Sequence, residues 1–349
     1  MKRKLMDYTG MGRERLETIL TDVGGVRVAV VGDVCLDCYW RADMRLSKLS
    51  RETPHFPLPV VEERTALGGG GNVIANIAAL NPCNIAVVTV IGNDWRGDET
   101  ANLLKNLNAD ISGVVRDNIT TNAYIKPLRS GISDVVYEDP RLDFQSYEPL
   151  AAETEERIIS NIKKTAAGAD ILCVCDQMEF GVITDRVRGC IIGLAKQGMT
   201  VVADSRDRIG LFTDMIIKPN ETEAAAALGV KKTADTGDYA GLADELAEQT
   251  NGAVFMTIGE NGSVYIDGGG AWRVYARKPE GPVDTCGAGD SSLAGFALAL
   301  AAGAEPAEAA YIAGLCSGVT IRQIGTTGTA TRGEIMDYFT LSGTSPAKG

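Results

Sequence analysis

Histidine is nearly absent from this chain: His55 alone among 349 residues. A histidine-rich metal centre is therefore excluded, and a Ser-His-Asp triad could draw only on that residue. His55 lies in Thr53-Pro54-His55-Phe56-Pro57, a proline-stiffened stretch that favours a surface or lid position over a general base. Positive charge is also scarce, 34 Lys and Arg against 46 Asp and Glu, for a net charge of −12. Nucleic acid calls for a basic stripe, which an acidic chain of this kind argues against. Anions have to be held locally, by a few cations or by backbone N–H groups. Long apolar runs are missing too. None approaches the ~18 residues of a membrane helix, and Met1-Lys2-Arg3-Lys4 is not followed by the apolar core of a signal peptide. A cytoplasmic protein without membrane or nucleic-acid partners is expected. The eight cysteines include one C-x-x-C, Cys35-Leu36-Asp37-Cys38, with no second pair to complete a zinc set. They read as free, mostly buried thiols of a reducing compartment. Two nucleotide fingerprints are absent as well. No Gly-Lys-Ser/Thr occurs, so there is no Walker P-loop. The first strand ends Val31-Gly32-Asp33-Val34 without G-x-G-x-x-G, which speaks against a dinucleotide enzyme.

Glycine, by contrast, is abundant, 40 of 349 against a usual ~7%, and it clusters where backbone has to approach a ligand. Short β-branched runs alternate with longer helical patterns. Strands are expected at 27–31, 85–91, 171–175, 200–203, 215–218 and 254–258, most of them near-continuous apolar runs. Helices are expected at 72–80, 98–107, 153–166, 184–197 and 238–249. The pattern is that of an α/β fold with a doubly wound, mostly parallel sheet flanked by helices. Half-polar strands at about 34–65 and 122–138 do not fit it. They predict a small antiparallel accessory sheet, a β-sheet lid lacking the apolar residues for a core of its own. The whole chain, 1–349, is read as one domain, with 342–349 a frayed tail.

Chemistry concentrates at Val283-Asp284-Thr285-Cys286-Gly287-Ala288-Gly289-Asp290. Leu293, Phe296, Ala297 and Leu300 recur at helical spacing, so a helix begins at about Gly289. The glycines at its mouth leave N–H groups open, and the dipole adds positive partial charge: an anion hole for a phosphoryl group. Asp290 is an ordinary helix cap by itself. Beside a phosphoryl donor it is placed to accept a proton from an attacking hydroxyl. Three further segments are less specific. Asn220 and Glu223 of Lys218-Pro219-Asn220-Glu221-Thr222-Glu223 occupy cap and capping-box positions at a strand-to-helix junction. Thr257-Ile258-Gly259-Glu260-Asn261-Gly262 ends a strand in a glycine turn, and Leu67-Gly68-Gly69-Gly70-Gly71-Asn72 brings backbone close to something small and hydroxylated.

Together, in this order, these segments resemble the ribokinase-like (phosphofructokinase B) sugar kinases, from about Val28 to about Glu334. Val30–Trp40, Leu49-Ser50-Arg51-Glu52-Thr53-Pro54, 72–80 and Arg141-Leu142-Asp143-Phe144 are similar to the heptose 7-phosphate kinases within that family. The resemblance implies ATP-dependent phosphoryl transfer to a sugar or sugar-phosphate hydroxyl, with Asp290 as general base and Gly287, Ala288 and Gly289 as the anion hole. It implies that Asn220 and Glu223 position phosphates and a Mg²⁺ held through water by Glu223. Thr257, Gly259 and Gly262 would line the nucleotide, with Gly314 and Ser317 walling the adenine. Asp37, Gly69, Asn72 and Asp284 would hold sugar hydroxyls. A monovalent cation such as K⁺ is implied near Asp284 and Cys286. Lid strands with an exposed edge pair readily with another copy, which predicts a homodimer through the lid. Other acceptors (fructose, ribose, an aminosugar, a nucleoside) stay open, as does a non-catalytic sensor on the same fold. The sequence departs from the heptose-kinase pattern at Cys175–Gly181 and at Asp204-Ser205-Arg206, where Asp-Pro-Lys is usual. Arg45, Lys48, Arg51 and Arg129 are candidates for an acceptor phosphate or are solvated charges.

Overall fold

The computed structural model describes residues 3–230 and 238–341, so the tail at 342–349 lies outside the described residues. A nine-stranded sheet forms the body, in the order Met6–Tyr8, Gly270–Val274, Ser263–Asp267, Ala253–Thr257, Ile216–Ile217, Val201–Ser205, Ile171–Asp176, Arg27–Gly32, Asn84–Val88. Pairing is parallel from Asn84–Val88 to Ala253–Thr257, then antiparallel across the hairpin that follows. Residues alternate between two cores, as a strand covered on both faces requires. Val28, Val30, Cys173 and Cys175 face the helices Gly70–Ala79, Ala288–Ala301 and Pro306–Thr320. Ala29, Val31, Leu172 and Val174 face the helices Ala152–Ala166, Asp185–Lys196 and Tyr239–Thr250. Among the described residues no helix is long and apolar enough to cross a membrane.

The run expected as one strand at 85–91 is two. Asn84–Val88 stays in the main sheet, while Val90–Gly92 pairs in parallel with Val115–Asp117. Buried Thr89 marks the break, its carbonyl accepting the N–H of Val115 at 2.8 Å. The hairpin 263–274 and the helix Pro306–Thr320 had no expectation attached. The helix is alanine-rich and buried on most sides, so no amphipathic period marks it.

A second sheet rises from the end of Arg27–Gly32. Val34–Asp43 runs antiparallel to Val60–Gly69 and parallel to Ala123–Ser130, which carries Tyr137–Glu138 and Leu142–Phe144 on its other side. One face holds a small core of Leu36, Cys38, Ala123 and Ile125 against Leu103 of the helix Trp95–Asn106. The period of two then sends Asp37, Tyr39, Tyr124 and Lys126 to the opposite face.

Candidate active site

The mouth of the helix Ala288–Ala301 is fixed by packing behind it. Phe296 stacks on Phe255 of the central sheet, ring centroids 4.2 Å apart. Gly287 precedes the helix with φ of 80°, and no side chain caps this terminus. A Cβ at Gly287 would stand 2.7 Å from Nδ2 of Asn72, so the turn accepts only glycine there. That close approach lets Asn72, from the first turn of Gly70–Ala79, donate to Oδ2 of Asp290 at 2.6 Å. Burial pushes the Asp290 carboxyl up to about 6. The Asn72 bond works against that shift, the negative field of Asp204 adds to it, and Lys218 and Arg206 oppose it.

Asp290, Gly287 and Gly289 line a cleft of about 460 Å³ together with Asn220, Glu223, Thr257 and Gly259. The sequence-predicted residues from four separate segments thus converge on one site. Asn220 caps the helix Glu221–Ala227: its Oδ1 accepts from the N–H groups of Thr222 and Glu223, both at 2.8 Å. Glu223 returns the bond, Oε2 accepting the Asn220 N–H at 2.8 Å. Burial raises the Glu223 carboxyl, with Asp204 adding to the rise and the Asn220 N–H and Lys218 restraining it. Thr257 is brought alongside by an isolated parallel bridge to Asn220.

Three charged side chains here had no role assigned from the sequence, although Asp204 and Arg206 stand in a segment that departs from the heptose-kinase pattern. Lys218 is buried and donates to Oδ2 of Asp204 at 2.9 Å. Burial opposes its charge, but Asp204, Glu223 and Asp290 outweigh that and raise its pKa. Its ammonium comes within 3.7 Å of where a Gly289 Cβ would stand, beneath the helix mouth. Arg206 is exposed on the cleft wall and forms no ion pair among the described residues. The available signal was a lysine ending an apolar strand next to Pro219-Asn220.

Asp37 stands on the polar face of the second sheet. Its Oδ2 accepts from Lys126 Nζ at 3.0 Å, while Oδ1 is buried with no hydrogen-bond partner. Lys126 also reaches the Tyr39 hydroxyl, at 3.1 Å. Burial lowers its pKa, yet Asp37 more than compensates and the net shift is upward. Lys126, Asp284, Asp290 and Asp37 all act electrostatically on Cys286, whose thiol is raised chiefly by burial.

Other predicted residues stand outside the cleft lining. Asp284 accepts the N–H of Cys286 and of Gly325, each at 3.0 Å, tying two loops together. Gly69, with φ of 56°, lies against the Asp33 carbonyl at the start of Gly70–Ala79. Gly262 packs against the Val274 carbonyl. Ser317 shares a 2.6 Å hydrogen bond with Ser292 and donates to the Ala288 carbonyl at 3.1 Å, bracing the helix mouth from behind. Gly314 is exposed with open space beside it. Of the cations considered for an acceptor phosphate, Arg45 pairs with Asp43 and Arg129 with Asp139, each at 2.6 Å. His55 is exposed in the loop between Val34–Asp43 and Val60–Gly69. Among the described residues no three His, Cys, Asp or Glu side chains converge as a metal cage.

A family model described as pfkB family carbohydrate kinase matches residues 27–332. The bifunctional protein HldE of Geotalea uraniireducens is 29% identical over 93% of this chain and 65% of its own length. That of Mesorhizobium japonicum is 32% identical over 90% of this chain and 62% of its own. The chain therefore spans just under two thirds of the curated relatives it matches. Among solved structures, phosphofructokinase-2 from Escherichia coli in complex with fructose-6-phosphate superposes with a TM-score of 0.72 at 18% identity, over 91% of this chain and 99% of that one. The same enzyme in complex with potassium gives 0.72 at 20% identity, with the same coverage.

Proposed function

The chain belongs to the pfkB family of carbohydrate kinases, an ATP-dependent class, and from that premise we propose that it phosphorylates a hydroxyl of a heptose 7-phosphate-like sugar phosphate. The observation that carries the reaction type is the Asp290 carboxylate, oriented by Asn72 at a glycine-opened helix mouth inside the common cleft. In this reading Asp290 removes the proton of the acceptor hydroxyl as that oxygen attacks the γ-phosphorus in line. The bond to the bridging oxygen breaks, and ADP leaves. Gly287, Ala288 and Gly289 hold the equatorial oxygens with backbone N–H groups, and Lys218 adds a positive charge beneath them. Thr257, Gly259 and Gly262 line the nucleotide, with Gly314 and Ser317 beside the adenine.

Mg²⁺ supplies charge neutralisation between the phosphates. A hard cation that keeps most of its waters would suit Asn220 and Glu223, which line the cleft while Oδ1 of the one and Oε2 of the other serve the capping box. K⁺ fits the pair of loops tied by Asp284 near Cys286. Asp37, Gly69, Asn72 and Asp284 hold the acceptor hydroxyls, and the second sheet acts as a lid that excludes water. The bifunctional relatives and the segments similar to heptose 7-phosphate kinases support this acceptor class.

The test is ADP release from MgATP against heptose 7-phosphate, fructose 6-phosphate and the free sugars. Turnover on heptose 7-phosphate, lost by about 10³-fold or more in Asp290→Asn, is expected. Intact turnover in that variant would overturn the mechanism. Turnover confined to another acceptor would keep the chemistry and discard the heptose.

A further inference from the structure

On the polar face of the second sheet, in a protein whose net charge is −12, cations are paired with acids. Lys126 pairs with Asp37 at 3.0 Å, Arg41 with Glu62 at 2.7 Å, and Arg141 with Asp143 at 2.6 Å. Arg64 is the exception. It stands opposite Tyr39 in the register of the two central strands, its guanidinium 4.2 Å above the Tyr39 ring. The two glutamates beside it in sequence are engaged elsewhere: Glu62 with Arg41, and Glu63 as acceptor of the Trp40 indole N–H at 2.6 Å. Arg64 has no ion pair among the described residues. Tyr39 links it to Lys126, since the Lys126 ammonium is bonded to the Tyr39 hydroxyl and lies 4.7 Å from the same ring's centre.

A second observation points to a ligand at the same place. Asp37 is 5% exposed, yet its Oδ1 has no partner. A buried carboxylate oxygen without a donor costs free energy unless something else supplies one. Lys126 has three donors and spends two, on Asp37 and Tyr39, so one N–H remains. Arg64 offers its planar fork whole.

We propose that Arg64, Tyr39 and Lys126 form an anion subsite that holds the phosphate already present on the acceptor, while Oδ1 of Asp37 takes one of its hydroxyls. This rests on the kinase reading above and adds to it the residues that select a phosphorylated sugar over a free one. It assigns that role first to Arg64, which has no ion pair among the described residues, rather than to Arg45 and Arg129, which pair with Asp43 and Asp139. The phosphate is held on the side of Asp37 that faces Tyr39. The acceptor therefore has to carry it some carbons away from the hydroxyl presented to Asp290.

Arg64→Gln is the chosen variant, because Arg64 is exposed and its loss leaves the fold intact. Steady-state kinetics would compare heptose 7-phosphate with the free heptose, and fructose 6-phosphate with fructose. The variant is expected to lose about tenfold to hundredfold in kcat/KM on the phosphorylated sugars, through KM. The free sugars and the KM for MgATP should not change. Equal losses on phosphorylated and free sugars, or no loss on either, would overturn the subsite. Lys126→Met should lose more on the phosphorylated sugars and should also weaken the free sugars, because Asp37 loses its ion pair. If wild type turns over none of the four sugars, the kinase reading fails separately, and calorimetry with heptose 7-phosphate decides the subsite. Binding weakened by Arg64→Gln supports it; absent or equal binding refutes it.

Discussion

Two aspartates sit where a buried carboxyl is held up to about 6, and they answer to different tasks. Asp33 is fully buried at the end of Arg27–Gly32 and accepts the N–H groups of Gln177 and Met178 at 2.8 Å and Val182 at 2.6 Å. Its raised value comes from burial, which outweighs those bonds. It ties one strand end to the next loop and has no route to substrate through the cleft lining. Asp33→Ala would orphan three buried N–H groups, and a loss of about 3 kcal/mol or more in urea unfolding is expected. Asp290 meets solvent in the cleft, and its charge is the working form. As a base it has to be ionised, so kcat/KM should fall with decreasing pH through an apparent pKa near 6. Stability runs the other way. The folded carboxyl binds its proton more tightly than the unfolded one, so the penalty for its charge is present above pH 6 and relieved as pH falls toward 4. Asp290→Asn should therefore unfold at a higher temperature than wild type at pH 8, with the gain shrinking by pH 4.5. A thermal scan at both pH values reads this. An Asp290→Asn protein less stable than wild type at pH 8 would contradict the burial assigned to the carboxyl.

At the scale of elements, the short helix Glu221–Ala227 is held by its capping box more than by its length. Asn220 serves that cap and, in the proposed mechanism, the phosphates. Asn220→Ala should cost about 1 kcal/mol of stability and raise the KM for MgATP by about tenfold, with the acceptor KM unmoved. A change in stability alone would reduce Asn220 to a cap. Such elements were legible before the structure because their signals are local. The Asn-x-x-Glu spacing, the continuous apolar runs of the parallel strands and the glycines before Asp290 each stand in a few consecutive residues. Pro306–Thr320 was not legible, because a helix of small and apolar residues buried on most sides leaves no polar face to mark the helical period. The Lys218–Asp204 and Lys126–Asp37 pairs join residues 14 and 89 positions apart. No local spacing encodes a contact made only when the sheet is assembled. Gly314 and Ser317 illustrate the reverse. They entered through resemblance, and Ser317 spends its hydroxyl on the neighbouring helix.

For the whole molecule, the second sheet has to be held by more than its own core. Its own apolar cluster, Leu36, Cys38, Ala123 and Ile125, is too small to stabilise five strands in water. It leans on Leu103 on one side. Its long outer strand Val60–Gly69 ends the sheet, with Val60 and Val61 each nearly half exposed. An apolar open edge of this kind invites a second strand, and a second copy of the chain brings the same edge by two-fold symmetry. The expected state is a homodimer through these edges, which would stiffen the face that carries Arg64 and Asp37. Sedimentation at micromolar concentration should give twice the 36.9 kDa of the chain. Val60→Lys together with Val61→Lys places two like charges from each copy across the joint and should return it to the monomer. The monomer's KM for the sugar phosphate should rise while that for MgATP stays, because only the acceptor side of the cleft is built on this sheet. A wild-type monomer refutes the dimer. A monomeric variant with unchanged acceptor KM keeps the dimer but severs it from substrate binding, leaving the packing on Leu103 to hold the acceptor face.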